Sequence, residues 1–467
     1  MFSKNNLIKI HDWLWEIPLG ARPGMKVPAR IYATEKMLVE VVRDRSLEQL
    51  VNVSTLPGIQ KYAIAMPDIH EGYGFPIGGV AAFDAESGVI SPGGIGYDIN
   101  CGVRLLISQI PAKDLEVKKH ELARAIYKEV PSGVGKGGIL DLRGKELDAV
   151  LEGGAKRMAE MGYGASEDLK HTESEGRLEQ ASAVLVSAQA KARGADQLGT
   201  MGAGNHFVEV EAVEKIFDKA EADRLGVFEG QAAVLIHTGS RGLGHQIATD
   251  YIKVMLAAAQ KYGIALADKE LACAPFKSDE GQRYFKAMCA GANFAWANRQ
   301  LITYEVRQAW KKVFGDGGKL DILYDVAHNI AKVENYKING KEKTMVMHRK
   351  GATRAFPNQP VIIPGSMGTG SYLLIGQEKA LEESFGSSCH GAGRRMSRHQ
   401  AKREISGSAL KQELENEGIV VAAGSMSGLA EEAPTAYKDV DEVVDVVHNA
   451  GIAKKVAKMK PLAVVKG

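Results

Sequence analysis

Ala233-Val234-Leu235-Ile236-His237-Thr238-Gly239-Ser240-Arg241-Gly242 is an apolar run that stops in a histidine and a glycine-rich turn. A short run of branched apolar residues bounded by turn residues reads as a buried strand. The same spelling recurs along the chain. Val326-Ala327-His328-Asn329 closes the run Ile322–Tyr324, and Ile363-Pro364-Gly365-Ser366-Met367-Gly368 closes Val361–Ile363. Tyr62–Ala65, Thr344–Met347, Tyr372–Ile375 and Ile419–Ala422 are further strand candidates. Helical period and composition mark Asp114–Val130, Leu142–Met161, Leu178–Arg193, Ala212–Leu225, His245–Tyr262, Asp279–Val313 and Asp439–Asn449. The expected fold is therefore mixed α/β (α+β), with a central β core, surrounding helices and Gly-rich loops at the strand ends. Loops placed by a rigid sheet are where sites usually sit.

The chain has 467 residues, 45% hydrophobic and 25% charged, an ordinary soluble composition. No linker divides it, so a single large domain over residues 1–467 is expected. The Gly-, Lys- and Glu-rich stretch 133–177 is expected to be a peripheral helical insertion. The whole chain has 52 glycines, about 11% against an average of about 7%. The net charge of +2 rules out grip on a polyanion by bulk charge, so any nucleic-acid partner needs local positive clusters. Arg349, Lys350 and Arg354 form one, and Arg394, Arg395, Arg398, Lys402 and Arg403 another; either also fits a solvated helix face. Four scattered cysteines without CxxC spacing fit a reducing compartment. The first residues lack an uninterrupted apolar core, and no run reaches the ~18 residues of a membrane helix, so the cytoplasm is the expected location.

Three segments point to chemistry. Gly93-Gly94-Ile95-Gly96-Tyr97-Asp98-Ile99-Asn100-Cys101-Gly102 sets a carboxylate and a thiol three residues apart in a glycine frame. Both bind metal once deprotonated, although a buried thiol near a capping aspartate has the same spelling. Gly202-Ala203-Gly204-Asn205-His206 places a histidine at a strand start, and His237 and His328 stand at strand ends. Asp98, Cys101, His206, His237 and His328 thus offer five ligand groups, enough for a pair of metals if the thiolate bridges. Ligand softness alone suggests zinc or iron, since manganese prefers more oxygen. In Ser387-Ser388-Cys389-His390-Gly391-Ala392-Gly393-Arg394-Arg395, free backbone N–H groups and arginines suit phosphate. His390 there can act as a nucleophile on phosphorus. Pro364 to Tyr372 adds small hydroxyl residues among glycines, a weaker phosphate cradle.

Other spellings fail. Gly133-Val134-Gly135-Lys136-Gly137 lacks the first P-loop glycine and the Mg²⁺-binding hydroxyl. Asp68-Ile69-His70 with Gly204-Asn205-His206 matches two blocks of metallophosphoesterases, but the intervening block reads Gly96-Tyr97-Asp98, with one residue inserted. A metal-dependent phosphoesterase acting without ligation is the alternative reading.

Taken together the blocks resemble the RtcB family of RNA ligases, from Met66-Pro67-Asp68-Ile69-His70 to Val465-Lys466-Gly467. The resemblance implies a GTP- and Mn²⁺-dependent ligase that joins RNA 3′-phosphate or 2′,3′-cyclic phosphate ends to 5′-hydroxyl ends. RNA splicing or repair, with broken tRNA halves among the substrates, is the implied setting, and an activating protein such as archease a possible partner. It implies that His390 carries GMP as a phosphoramidate. Asp98, Cys101 and His206 would hold one manganese, and Cys101, His237 and His328 the other, with Cys101 shared. It further assigns nucleotide contacts to Asn205, His206, Phe207, Val208, Glu209, His328 and Asn329. Pro364, Gly365, Ser366, Met367, Ser371, His390, Gly391, Ala392, Gly393, Tyr437 and Lys466 would complete the guanylate pocket. A lysine so near the chain end reads as frayed tail without the resemblance.

Overall fold

In the computed structural model, which describes residues 3–133, 135–338 and 340–467, the Ala233–Ile236 run lies inside strand Gln231–Thr238, every residue of which is buried. Val134, within the Gly133–Gly137 run, falls outside the described residues.

Two large sheets form the β core. One runs in the order Leu320–Ala327, Gly102–Pro111, Gln231–Thr238, Phe207–Ile216, Ala453–Lys466, Ser371–Gly376 and Pro360–Ile363, with Val420–Ala423 parallel to Ala453–Lys466. The other runs Ile8–His11, Leu14–Ile17, Ala29–Tyr32, Ile59–His70, Ile77–Asp84, Lys341–Lys350 and Asn329–Ile338. The chain steps from the first sheet to the second at His328, which separates Leu320–Ala327 from Asn329–Ile338. A short ribbon pairs Ala352–Arg354 with Ser387–Cys389 and delivers the chain to His390.

The long helix Asp279–Phe314 backs the first sheet. Ser278 caps it by accepting from Gly281 N (3.1 Å), Asp279 and Glu280 sit in its first turn, and Lys311 and Lys312 in its last. Trp296, Arg299 and Trp310 on it are fully or almost fully buried. Stretch 133–177 contributes helix Gly144–Glu160, whose Leu147, Val150, Leu151, Ala155 and Met158 belong to the main hydrophobic core, against the long helix.

Helices expected at Asp114–Val130, Leu142–Met161, His245–Tyr262, Asp279–Val313 and Asp439–Asn449 form as Ala112–Glu129, Gly144–Glu160, Arg241–Lys261, Asp279–Phe314 and Val440–Asn449. Two expectations fail. Ala212–Leu225 is strand up to Ile216, and its helix is only Lys219–Leu225, opened by Asp218 accepting from Glu221 N. Its Ala, Glu and Lys favour helix, but pairing with Ala453–Lys466, and at Ala212 also with Ala232, overrides that preference. Leu178–Arg193 holds one short turn, Ala183–Leu185, and then helix Ala188–Gly194. The Ser187 hydroxyl accepts from Ala190 N (3.1 Å) and starts that helix afresh.

Glu305, on the long helix, is buried and neither carboxylate oxygen has a hydrogen-bond partner among the described residues. Burial, with Glu129 second, raises its pKa to about 9. The native protein therefore keeps a proton that the unfolded chain gives up near pH ~4.3. Stability present below that pH is lost as pH rises toward the native value, by up to about 1.4 kcal/mol per pH unit. Glu305→Gln should leave the melting temperature unchanged near pH ~4 and raise it by a few degrees near pH ~8.5. Thermal denaturation at the two pH values checks this, and an equal shift at both would contradict it.

Candidate functional site

Four neighbouring strands of the first sheet end at one place. Gly102 pairs with Thr238 and with Ala327, and Phe207 pairs with His237. This register carries Cys101, His206, His237 and His328 to the same sheet end. Cys101 Sγ lies 3.4 Å from Nε2 of both His206 and His237. His237 Nε2 is 3.3 Å from His328 Nε2, and His206 Nε2 is 2.9 Å from Asp98 Oδ2. Two metal-capable groups result, Asp98/Cys101/His206 and Cys101/His237/His328, each with its ligand atoms within 4.8 Å of one another. Cys101 belongs to both.

Loop geometry aims the carboxylate. Asn100 adopts φ 52°, Asp98 Oδ1 accepts from Ser240 N (2.9 Å), and Asn329 Nδ2 donates to Asp98 O (3.1 Å). A Cβ at Gly239 would overlap the Asp98 carboxylate, so the turn after His237 needs glycine there. The buried Arg299 guanidinium ties the ligand segments together. It donates to Asn100 O (2.8 Å) beside Cys101, to Thr238 O (2.9 Å) beside His237, and to Asp325 (2.8 and 3.0 Å) on the strand leading to His328. Arg104 pairs with the same Asp325, so the carboxylate's oxygens are shared between buried arginines.

The donor set fits a cation. His206 Nδ1 faces Met201 O at 3.0 Å, where only an N–H is welcome. Its Nε2 faces Asp98 Oδ2 (2.9 Å) and Cys101 Sγ (3.4 Å), so a nitrogen, an oxygen and a sulfur converge on one point that a shared cation would fit. Burial, followed by the neighbouring imidazoles, holds His237 and His328 well below the ordinary histidine range, so both are neutral, as ligands must be. Burial, with the Asp98 charge second, pushes the Cys101 thiol up, so its thiolate requires a metal. Burial alone would raise Asp98, but His206, the Cys101 thiol and Arg241 outweigh it and hold the carboxylate well below its usual range.

A cavity of about 360 Å³ opens beside these ligands. Its wall contains Asp98, Cys101, Asn205, Phe207, His237, His328, Asn329, Pro364, Gly365, Ser366, Met367, His390, Gly391, Ala392, Gly393, Tyr437 and Lys466. His206 faces the adjoining groove with Asp98 and Asn205. Val208, Glu209 and Ser371 do not reach the cavity wall and are fully buried in the sheet behind it. Ser371 Oγ accepts from Gly365 N (3.2 Å) and so supports the loop. Among the described residues Glu209 has no hydrogen-bond partner for either oxygen; burial, with Glu211 second, raises it well above the carboxylate range, and Lys466 opposes that. Lys466, far from a frayed tail, is 2% exposed and donates to His206 O (3.3 Å).

His390 stands across the cavity with its ring centroid 4.8 Å from that of His328. Its Nδ1 lies 2.6 Å from Asp68 Oδ2, which also accepts from His390 N (2.9 Å). Asp68 is fully buried. An ionised carboxylate accepts only, so it fixes the Nδ1–H tautomer and leaves the Nε2 lone pair free. Gly393, at φ 75°, packs so tightly on the Asp68 backbone that a Cβ would overlap it. Asp68 and His70 belong to neither metal-capable group among the described residues.

In the sequence Asp68 stands out only within the failed phosphoesterase block and the first block of the family resemblance, and nothing there marks it as a partner for His390. The available signal was Asp68-Ile69-His70 itself, two polar residues at strand spacing on an otherwise apolar segment. The first basic cluster is not a solvated face. Arg349 is buried and bidentate with Glu334 (2.8 Å each), and Lys350 donates to Tyr73 O and to Phe75 O (3.0 Å) while lining the cavity. In the second, Arg394 and Arg398 line the cavity and pair with Glu432 at 3.3 Å, whereas Arg395 and Arg403 are exposed. No helix among the described residues is long and apolar enough to cross a membrane.

A family model described as "tRNA-splicing ligase RtcB" matches residues 49–467. Curated relatives named tRNA-splicing ligase RtcB align over the full length. That of Thermococcus kodakarensis is 53% identical over 99% of both chains, and that of Archaeoglobus fulgidus 52% over the same shares. That of Methanococcus maripaludis is 50% identical over 99% of this chain and 100% of its own.

Proposed function

This chain belongs to the RtcB family of tRNA-splicing ligases, and on that premise we propose that it seals RNA 3′-phosphate or 2′,3′-cyclic phosphate ends to 5′-hydroxyl ends through a GMP carried on His390. The observation that carries this reading is the pairing of His390 Nδ1 with buried Asp68 beside the Cys/His/Asp cluster. Asp98, Cys101 and His206 would hold one Mn²⁺ and Cys101, His237 and His328 the other. When bound, the pair neutralises the triphosphate and stabilises the departing pyrophosphate.

The remaining work falls to the protein. The His390 Nε2 lone pair attacks the α-phosphorus of GTP; the new N–P bond forms as the bond to the β-phosphate oxygen breaks. The imidazole turns cationic, and Asp68 stabilises that charge while the Nδ1–H stays in place. An oxygen of the RNA 3′-phosphate then takes the GMP, breaking the N–P bond and restoring neutral His390. The 5′-hydroxyl attacks the activated 3′-phosphorus, GMP leaves, and a phosphodiester remains. A cyclic phosphate is first hydrolysed to the 3′-phosphate. Asn205, Phe207, Asn329, the Pro364–Met367 loop, the Gly391–Gly393 backbone, Tyr437 and Lys466 line the space where the guanylate would lie, with Val208, Glu209 and Ser371 supporting it from behind. Broken tRNA halves are the expected RNA, archease-like activation an expected partner, and the cytoplasm the expected location.

The reading is tested by mixing a 3′-phosphate RNA and a 5′-hydroxyl RNA with the protein and Mn²⁺, with and without GTP. Joined product should depend on GTP, and 5′-phosphorylated RNA should not join. Phosphate release without GTP and without joining would favour the phosphoesterase alternative. Asp68→Asn keeps the side chain's shape but removes the charge facing the cationic imidazole. It should slow GMP transfer to His390 by about a thousandfold at unchanged metal content, as read by single-turnover labelling.

A further inference from the structure

Asp68 can orient His390 only if its strand and the nucleophile loop keep a fixed distance. One side chain joins them. Lys438 is 9% exposed, lies outside the cavity wall, and directs its ammonium between the two carbonyls that flank Asp68. It donates to Pro67 O at 3.2 Å and to Ile69 O. Its backbone N–H donates to Gly393 O (2.8 Å), three residues past His390. The next contacts reinforce the join: Arg395 N (2.9 Å) and Met396 N (3.2 Å) both donate to Ala436 O. His70 Nδ1 donates to the Asp68 carbonyl itself (2.8 Å).

We propose that Lys438 is a positioning residue for the His390 reaction, clamping the Asp68 strand to the nucleophile loop so that His390 keeps its Nδ1–H on Asp68 and its Nε2 free. The inference rests on the function proposed above for its kinetic consequence, but not for its structural one. The ammonium also supplies a positive charge near a buried carboxylate whose other oxygen, Oδ1, has no hydrogen-bond partner among the described residues. Burial lowers Lys438 to about 8, against the pull of Asp68, Asp44 and Glu40, so it remains mainly cationic at neutral pH. An apolar side chain of similar length, such as methionine, would leave both carbonyls without the Lys438 donor and Asp68 without this counter-charge.

The test uses full-length Lys438→Met with two readouts. The first is the rate and GTP dependence of covalent GMP labelling. Because Lys438 does not line the cavity, the rate should fall about 10–100-fold while the KM for GTP changes less than about threefold, the signature of a lost outer support. The second is the ¹⁵N spectrum of imidazole-labelled protein, in which the His390 signals should move away from the pure Nδ1–H tautomer, as they should in Asp68→Ala. A wild-type labelling rate, or an unshifted His390 spectrum, overturns the proposal. If Lys438→Met melts below the assay temperature, Lys438→Gln, which keeps a donor but no charge, is put through the same readouts and judged the same way. Should the wild type itself take no GMP while the spectrum still shifts in the variant, the proposed function fails and the clamp stands.

Discussion

Cys101→Ala protein should take up neither metal and should seal no RNA. The thiol is the one ligand common to both groups, 3.4 Å from the Nε2 of His206 and of His237. Its loss leaves Asp98 with His206 on one side and His237 with His328 on the other, two protein ligands apiece where three stood. Metal content after Mn²⁺ loading and gel filtration should drop from about two per chain to a small fraction of that. Sealing should fall by at least about three orders of magnitude, because charge on the triphosphate is no longer neutralised. The fold should survive. Cys101 is a small buried side chain held between strands that Arg299 already ties together. Metal-free variant and metal-free wild type should therefore melt within a few degrees of each other. His206→Ala gives the contrast: it empties one group and leaves Cys101, His237 and His328 intact, so about one metal per chain should remain. Full metal content in Cys101→Ala would show that the thiol is a buried bystander.

The second large effect concerns His390. His390→Ala should bind metal like the wild type, since His390 belongs to neither ligand group, yet carry no GMP and join no RNA. Among the described residues, no other group lining the cavity combines a free imidazole nitrogen with a carboxylate fixing its tautomer. His237 and His328 belong to the group that could hold a metal, and His70 spends its Nδ1–H on the Asp68 carbonyl. Imidazole attack on phosphorus needs an orientation the protein supplies in advance, and most of the barrier lowering comes from that placement and from neutralised charge.

Much of this architecture is legible in the residues because strands that end in a site share a spelling. His237 and His328 each follow a branched apolar run, and the register Val103–His237 and Gly102–Ala327 brings those runs together. Where local preference and sheet pairing disagree, the sequence misleads. Ala212 to Ile216 looks helical and is strand. Ala453–Lys466 goes unread because its lysines and Pro461 argue against a strand. The structure absorbs Pro461 at a register shift and makes this strand a central partner of Phe207–Ile216 and Ser371–Gly376. The metal ligands are visible because each carries its own chemistry. Asp68 is not, since its role exists only through a contact 322 residues away in the chain. Arg299 and Lys438 are hidden for the same reason: one more arginine in a long helix and one more lysine after a tyrosine announce nothing until their partners are placed. The Arg349 cluster errs in the opposite direction, because charge runs say nothing of burial, and Glu334 waits on the adjacent strand to receive it.

Everything in the proposed reaction depends on His390 carrying the nucleotide. Incubating the protein with Mn²⁺ and α-³²P-labelled GTP, then denaturing it, measures this most directly. The expected label is labile in acid, stable in alkali, located by peptide mass at His390, and absent from His390→Ala. Equal labelling of His390→Ala and wild type, or a label on any other residue, would contradict it.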